Sequence, residues 1–152
     1  LLKDCDMIVP IPEKGFKTVY QTYAKMHHGE DLELTREAIS EVCPEYLPDF
    51  DKAMNEHFYF NGNMFITRKK EFDAYASWLF SVYARLEEKI DLNKYEDTYQ
   101  ARVYGFISER LLNVWLLHNH VNYKELPIFN TEIRSLNGLT KNFGRIKKIF
   151  NH

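Results

Sequence analysis

The segment that decides the fold is residues 102–118, RVYGFISERLLNVWLLH. Its apolar residues cover most of the surface of a helical wheel, and a helix that is apolar nearly all round is normally buried. Thr98 has a side chain suited to a helix N-cap, so the pattern predicts a helix over residues 98–118. We therefore expect the rest of the chain to pack around this helix.

Three polar side chains interrupt the apolar surface of this helix. At about 100° per residue, Arg102, Glu109 and Asn113 lie close together on the wheel, whereas Arg110 lies about 80° away. Because unpaired buried charges are costly, this stripe needs either ion-pair partners on other helices or a cleft that holds a polar ligand. The sequence leaves both interpretations open.

Shorter elements are predicted on both sides of the central helix. Helical spacing predicts helices over residues 18–28, 32–42, 44–57 and 70–90. Strands are predicted at residues 6–12, within 58–67 and at 123–129, the last as an edge strand because of Pro127. The fold class is therefore α+β, mainly helical with a few short strands. A basic helical tail is predicted over residues 139–152.

Composition excludes two classes of function. The 152 residues include 20 Lys and Arg against 22 Asp and Glu, so no basic excess favours a nucleic-acid partner. The chain also lacks the run of roughly 20 apolar residues that a membrane-spanning helix needs. The tail over residues 139–152 is basic and amphipathic, which fits either a helix packed on its own domain or peripheral contact with an anionic membrane surface.

A short polar loop is the first candidate binding feature outside the central helix. Asn61 and Asn63 flank Gly62, where the absence of a side chain permits close approach of a ligand to the backbone. Their amides could bind sugar hydroxyls or phosphates, although the same residues also form an ordinary turn. Phosphate-binding loops, dinucleotide fingerprints and hydrolase nucleophile motifs are absent from the sequence.

The segment from His27 to Asp31 is the second candidate. Adjacent histidines in a helix point about 100° apart, so His27 and His28 are poorly placed to bind one metal ion. Asp31 is better suited to cap the next helix than to bind metal. We therefore assign no metal ligand in this chain and retain His28 and Asp31 as candidate ligand-contacting residues.

Five segments in chain order carry a family resemblance: DMIVP at 6–10, YxxY at 20–23 followed by His28 and Asp31-Leu32, NMFI at 63–66, YxxWLF at 75–80 and RVYGFISERLL at 102–112. Together they resemble a bacterial family of uncharacterised domains found in capsular, exopolysaccharide and lipopolysaccharide gene clusters. Its members are usually described as glycosyltransferases. The resemblance extends over residues 5–130, and GFISERLL with a following Trp is its most specific part.

The resemblance implies a GT-A-like α/β glycosyltransferase that uses a nucleotide-sugar donor and a glycan acceptor. Relatives carry an additional N-terminal α/β segment in which the nucleotide is expected to bind. Residues 1–152 would then be a single domain or the C-terminal part of a larger glycosyltransferase domain. The family further implies Mn²⁺ or Mg²⁺ in the full-length enzyme and a cytoplasmic location, with peripheral contact to the inner membrane surface.

The same resemblance gives the polar stripe a catalytic interpretation. Glu109 becomes the candidate catalytic acid or base, or a residue that orients sugar hydroxyls. Arg102 and Arg110 become candidates for binding phosphate or for fixing Glu109.

The remaining candidates contact sugars on this interpretation. Asn61 and Asn63 are assigned to the donor or acceptor sugar, and His28 with Asp31 to the acceptor side. Asp4-Cys5-Asp6 has the letters of the metal-binding Asp-x-Asp motif, but it precedes a predicted strand rather than following one and is not assigned to metal.

The alternative function is a non-enzymatic helical interaction or scaffold module in polysaccharide assembly. It is favoured by the large share of predicted helix and by the absence of a nucleotide motif. Three aromatic residues that we expect to be exposed, Tyr46, Phe58 and Tyr59, also favour it.

Overall fold

The computed structural model describes residues 2–95 and 97–128, so the predicted tail at 139–152 lies outside the described residues. The helices are α1 (Val19–Met26), α2 (Glu30–Val42), α3 (Leu47–Asn55), α4 (Lys69–Glu87) and α5 (Val103–His118). The strands are β1 (Met7–Pro10), β2 (Glu13–Lys14), β3 (Phe58–Tyr59), β4 (Ile66–Thr67) and β5 (Tyr123–Leu126). The prediction of a mainly helical fold with a few short strands is confirmed.

Helix α5 is the centre of the core, as its apolar pattern predicts. Val103, Ile107, Leu111 and Leu112 are completely buried, and the helix packs against α2, α3 and α4. Surrounding one helix in this way removes most of its apolar surface from water. Each Å² of apolar surface that is buried stabilises the fold by about 25 cal/mol. The buried-helix prediction is therefore confirmed.

The predicted start of this helix at Thr98 is wrong. Helix α5 begins at Val103, and Gln100–Arg102 form a separate 3₁₀ turn before it. The N-cap residues of the turn and of α5 are Tyr99 and Arg102, so Thr98 caps neither. The carboxylate of Asp97 accepts a hydrogen bond from the Gln100 backbone N–H at 2.6 Å. Arg102 consequently lies at the N-cap of α5 with non-helical backbone angles instead of within the predicted stripe.

A three-stranded sheet with the order β4-β1-β5 lies beside the helices. Strand β1 is fully buried, pairs antiparallel with β4 (Met7 opposite Thr67) and pairs parallel with β5 (Met7 opposite Tyr123). The prediction that the last strand is an edge strand is confirmed. Strands β2 and β3 form a separate antiparallel pair in which Glu13 lies opposite Tyr59.

The ring of Tyr46 is buried among aromatic side chains, contrary to the expectation that it is exposed. Its centroid lies 4.8 Å from that of Trp78 and 3.6 Å from that of His118, whose Nδ1 is 2.9 Å from Asp49. Burial raises the pKa of the Tyr46 hydroxyl, and Asn119 donates a hydrogen bond to it. Phe58 and Tyr59 are half-buried rather than exposed.

The side chain of Asn113 fastens β3 to helix α5. Its Oδ1 accepts from the Phe60 backbone N–H and its Nδ2 donates to the Phe58 carbonyl, both at 3.2 Å. This amide satisfies two backbone groups that short strand β3 would otherwise leave without partners. Asn113, one of the three predicted stripe residues, therefore holds the segment that carries Tyr59.

Replacing Asn113 by alanine is expected to lower the free energy of unfolding by about 2 kcal/mol, because one buried donor and one buried acceptor lose their partner. Asn61→Ala is the matched control, since its amide bonds to Glu13 at the exposed surface and should contribute less than about 1 kcal/mol. Urea denaturation followed by circular dichroism measures both. Equal stability of the two variants would contradict this role for Asn113.

Candidate functional site

A buried charged cluster lies where α1, α2, β3 and α5 meet. We call it the Arg110 cluster and define it as Tyr23, Asp31, Tyr59, Glu109 and Arg110. The Arg110 side chain is 2% exposed, and its guanidinium carbon lies 4.5 Å from the Tyr59 ring centroid and 5.3 Å from that of Tyr23. These two rings stabilise the cation by cation–π contact where water cannot reach it.

Arg110 is the ion-pair partner of Glu109 within the described residues. Arg110 Nη1 donates to Glu109 Oε2 at 2.6 Å and to the Phe106 carbonyl at 3.2 Å. The Glu109 side chain is 18% exposed, so this carboxylate connects the buried cation to the surface. The pair fixes the position of Glu109, which is one of the two roles that the sequence leaves open for Arg110.

Asp31 carries the buried negative charge of the cluster. Its side chain is 1% exposed. Oδ1 accepts a hydrogen bond from the Tyr95 hydroxyl at 2.8 Å and lies 2.9 Å from Lys94 Nζ. Oδ2 accepts a hydrogen bond from the Tyr23 hydroxyl at 3.3 Å. Burial and the adjacent Asp31 charge raise the pKa values of both tyrosines. Burial alone would lower the pKa of Lys94, but the hydrogen bonds and charges of Asp31 and Glu30 together outweigh it and raise that pKa.

The predicted capping role of Asp31 is wrong. Helix α1 starts at a capping box formed by Thr18 and Gln21 and ends at Met26, and Gly29 is the N-cap of α2. Asp31 therefore lies in the first turn of α2, where its carboxylate turns inward. A buried carboxylate is stable there because tyrosine hydroxyls and a lysine surround it.

His28 lies on the outer side of this charged group. Its ring packs edge-on against Tyr95 at 5.2 Å between centroids, and Tyr95 in turn donates to Asp31. The structure therefore brings His28 and Asp31 into contact with the same tyrosine, with His28 exposed and Asp31 buried.

The two loop asparagines are held in different ways. Asn61 Nδ2 donates to Glu13 Oε1 at 2.7 Å, and Glu13 Oε2 also accepts from the Tyr59 hydroxyl. Asn63 Nδ2 donates to the Gly105 carbonyl and to Ser108 Oγ at the start of α5. Asn63 adopts a positive φ of 50°, which asparagine tolerates better than most residues.

Arg102 stands apart from the Arg110 cluster. It is exposed, and its guanidinium lies 6.0 Å from the Tyr99 centroid and 5.8 Å from that of Phe106. No ion pair joins Arg102 to Glu109 in the part of the chain that the structure describes. An exposed cation above aromatic rings remains accessible to an anionic ligand, whereas Arg110 does not.

His27 contributes to the site, although it was not among the residues predicted from the sequence. Its ring stacks on Phe106 at 3.9 Å, and its Nδ1 lies 3.0 Å from Gln100 Oε1. Gln100 is 73 residues away in sequence, so no local pattern could have predicted this pairing.

Two cavities adjoin strand β3. One has a volume of about 300 Å³ and is lined mainly by apolar residues, including Phe58, Phe60 and Leu116, with Asn113 in its wall. The other has a volume of about 110 Å³ and is bordered by Glu13 and Tyr59. The first cavity has the size and apolar character of small-molecule sites. Side chains of β3 line both cavities.

No group of three or more His, Cys, Asp or Glu side chains within residues 2–95 and 97–128 is arranged to hold a metal ion. Asp6 is engaged instead with Arg68 Nη1 at 3.8 Å and with the Asn122 backbone N–H at 3.3 Å. The Mn²⁺ or Mg²⁺ that the resemblance implies for the full-length enzyme stays a prediction. Over the same residues, no helix is both long and apolar enough to cross a bilayer.

A family model described as a domain of unknown function, DUF4422, matches residues 1–120. The chain belongs to the DUF4422 family. A solved structure described as the apo structure of the bifunctional glycosyltransferase WbbM is similar to it, with a TM-score of 0.76 and 26% sequence identity. That match covers 88% of this chain but 27% of the WbbM chain, so this DUF4422 chain spans about a quarter of that protein. No curated protein matches the sequence.

Proposed function

We propose that this DUF4422 chain is part of a GT-A-like glycosyltransferase that transfers a sugar from a nucleotide-sugar donor to a growing capsular, exopolysaccharide or lipopolysaccharide glycan. The observation that carries this proposal is the similarity to WbbM, a protein described as a bifunctional glycosyltransferase, over 88% of this chain. The family resemblance of segments such as 102–112 supports the same class of reaction. In this proposal residues 1–152 are a single domain or the C-terminal part of a larger glycosyltransferase domain.

Different roles in the proposed reaction fall to Glu109 in the Arg110 cluster and to Arg102 outside it. Glu109 reaches the surface and is held there by buried Arg110, so it acts on sugar hydroxyls as an orienting carboxylate or as an acid or base. Arg102 is the exposed cation suited to the donor diphosphate, which carries the negative charge that develops as the sugar leaves.

Of the other residues predicted to contact sugars, the exposed ones are proposed to touch the ligand and the buried one to support them. Asn61 and Asn63 lie on the exposed loop before β4 and contact the donor or acceptor sugar, while exposed His28 lines the acceptor side. Asp31 supports that side from beneath Tyr95 rather than by touching the ligand. We place the enzyme in the cytoplasm, with peripheral contact at the inner membrane surface.

Calorimetry with UDP- and GDP-sugars, with and without Mn²⁺, tests the proposed function. The titrations use the 152-residue chain and, in parallel, the product of the complete coding sequence that contains it. Saturable binding of one nucleotide sugar by the complete product, together with release of the free nucleotide when acceptor glycan is added, is the expected result. Absence of both binding and transfer would overturn the proposal.

The second candidate is a non-enzymatic interaction or scaffold module in polysaccharide assembly. Fully exposed Phe16 favours it, as do Phe72 and Phe80 on the outer side of α4, because exposed aromatic side chains often mark contact surfaces. The same titrations discriminate the two functions, since a scaffold module would bind no nucleotide sugar in either form.

A further inference from the structure

The side-chain amide of Gln100 has a defined orientation. Its Nε2 donates to the Met26 carbonyl at 3.1 Å, and a carbonyl oxygen can only accept. The Gln100 oxygen therefore faces the opposite way, towards His27 Nδ1 at 3.0 Å. An amide oxygen cannot donate, so the hydrogen in this contact belongs to the histidine.

The tautomer of His27 follows from this contact. Nδ1 carries the proton, and in the neutral ring the lone pair is then on Nε2. Nε2 has no hydrogen-bond partner among the described residues. It is not a fully buried atom, because the buried side-chain atoms without a partner in this part of the chain do not include it. Stacking on Phe106 and contact with Tyr23, at 5.0 Å between centroids, restrict rotation of the ring.

The surroundings of His27 favour its neutral form. Burial lowers the pKa of the imidazole below its ordinary value of 6.5, and the Arg110 cation of α5 lowers it further. The hydrogen bond to Gln100 and the charges of Glu109 and Asp31 act in the opposite direction without reversing the shift. The ring is therefore a base with an available lone pair at neutral pH.

We infer that His27 is the catalytic base of the transferase and that Gln100 is its positioning residue. This inference rests on the proposed function. The acceptor hydroxyl oxygen forms the new bond to the anomeric carbon of the nucleoside-diphosphate sugar, and its proton moves to His27 Nε2. The bond between that carbon and the diphosphate oxygen breaks, and its electron pair leaves with the nucleoside diphosphate. Glu109 is then left with the role of orienting hydroxyls.

Nitrogen NMR of ¹⁵N-histidine-labelled 152-residue chain tests the tautomer without any assay of activity. The expected result at pH 7.5 is a His27 ring with a protonated Nδ1 and an unprotonated Nε2. Gln100→Leu should remove this preference, because the variant cannot accept from Nδ1. A proton on Nε2 in the unmodified chain would overturn the inference, whatever the protein's activity.

Kinetics of the complete transferase test the catalytic role. His27→Phe retains a ring that can stack on Phe106 but has no base, and it should lower kcat by about 10²- to 10⁴-fold. The unmodified enzyme should lose turnover as the pH falls through the pKa of His27, because protonated Nε2 cannot accept a proton. Gln100→Glu adds a negative charge beside Nδ1 and should move this decline to higher pH.

The kinetic outcomes separate the inference from the proposed function. Unchanged kcat in His27→Phe, or an acidic limb that does not move in Gln100→Glu, would overturn the role of His27 while leaving glycosyl transfer intact. Absence of transfer by the unmodified complete protein would overturn the proposed function, and the catalytic role of His27 with it.

Discussion

Replacing Asp31 by asparagine is expected to lower the free energy of unfolding by roughly 3 kcal/mol, one of the largest effects of a single substitution in this chain. The change retains the shape of the side chain but removes the charge that pairs with Lys94 at 2.9 Å and accepts from Tyr95 and Tyr23. The asparagine amide also turns an N–H group towards one of these donors. Urea denaturation monitored by circular dichroism measures the loss.

Glu33→Gln is the matched control for Asp31. Glu33 also accepts from a tyrosine, the Tyr20 hydroxyl at 2.7 Å, but this contact lies at the exposed surface. Water replaces such a bond readily, so the control should change stability by less than about 1 kcal/mol. If Asp31→Asn destabilised the chain no more than Glu33→Gln, the buried charge would contribute little to the fold.

Replacing Glu109 by glutamine is expected to lower the turnover of the complete transferase by about 100-fold while leaving the fold intact. Glutamine retains an oxygen that can accept from Arg110, so the side chain stays in place, but it loses the charge that acts on sugar hydroxyls. The decrease should appear mainly in kcat, because hydroxyl orientation is needed most in the transition state. Initial rates over a range of donor concentrations separate kcat from KM.

Glu87→Gln is the control for this prediction. Glu87 is an exposed carboxylate at the end of α4, outside the Arg110 cluster, and its loss should leave both kinetic constants unchanged. Circular dichroism of both variants checks that the helices remain. Turnover at the unmodified level in Glu109→Gln would remove Glu109 from the mechanism.

The helices and strands were predictable from the sequence more accurately than the residues at which they begin and end. The strongly apolar pattern of α5 predicted its burial because the hydrophobic effect acts on a repeating pattern whatever the partners are. Its start was misplaced because a separate 3₁₀ turn, Gln100–Arg102, precedes Val103, and helix ends depend on local contacts such as the bond from the Gln100 N–H to the Asp97 carboxylate. Tyr46 was assigned to the surface because a single aromatic residue carries no periodic signal of burial.

The candidate site was predicted only in part. Glu109 and Arg110 were singled out because charged residues on an apolar helix need partners, and their ion pair is one of the two roles that the sequence left open for Arg110. Adjacent residues diverge on a helical wheel, and the wheel does not show that the long Arg110 side chain, packed against the rings of Tyr59 and Tyr23, turns back to Glu109. Asn113 was assigned to a possible ligand stripe, yet its amide bonds to the backbone of β3.

The sequence by itself determined the buried central helix, the mainly helical α+β class and the presence of charges that the core must accommodate. These properties depend on composition and periodicity. Both are properties of the local sequence and do not depend on which helices and strands pack together. Only the tertiary structure decided which charges meet: Asp31 with Tyr95, 64 residues away, and His27 with Gln100, 73 residues away. Such pairings follow from packing, because a hydrogen bond requires two groups within about 3 Å and local sequence spacing cannot specify that distance across separate elements.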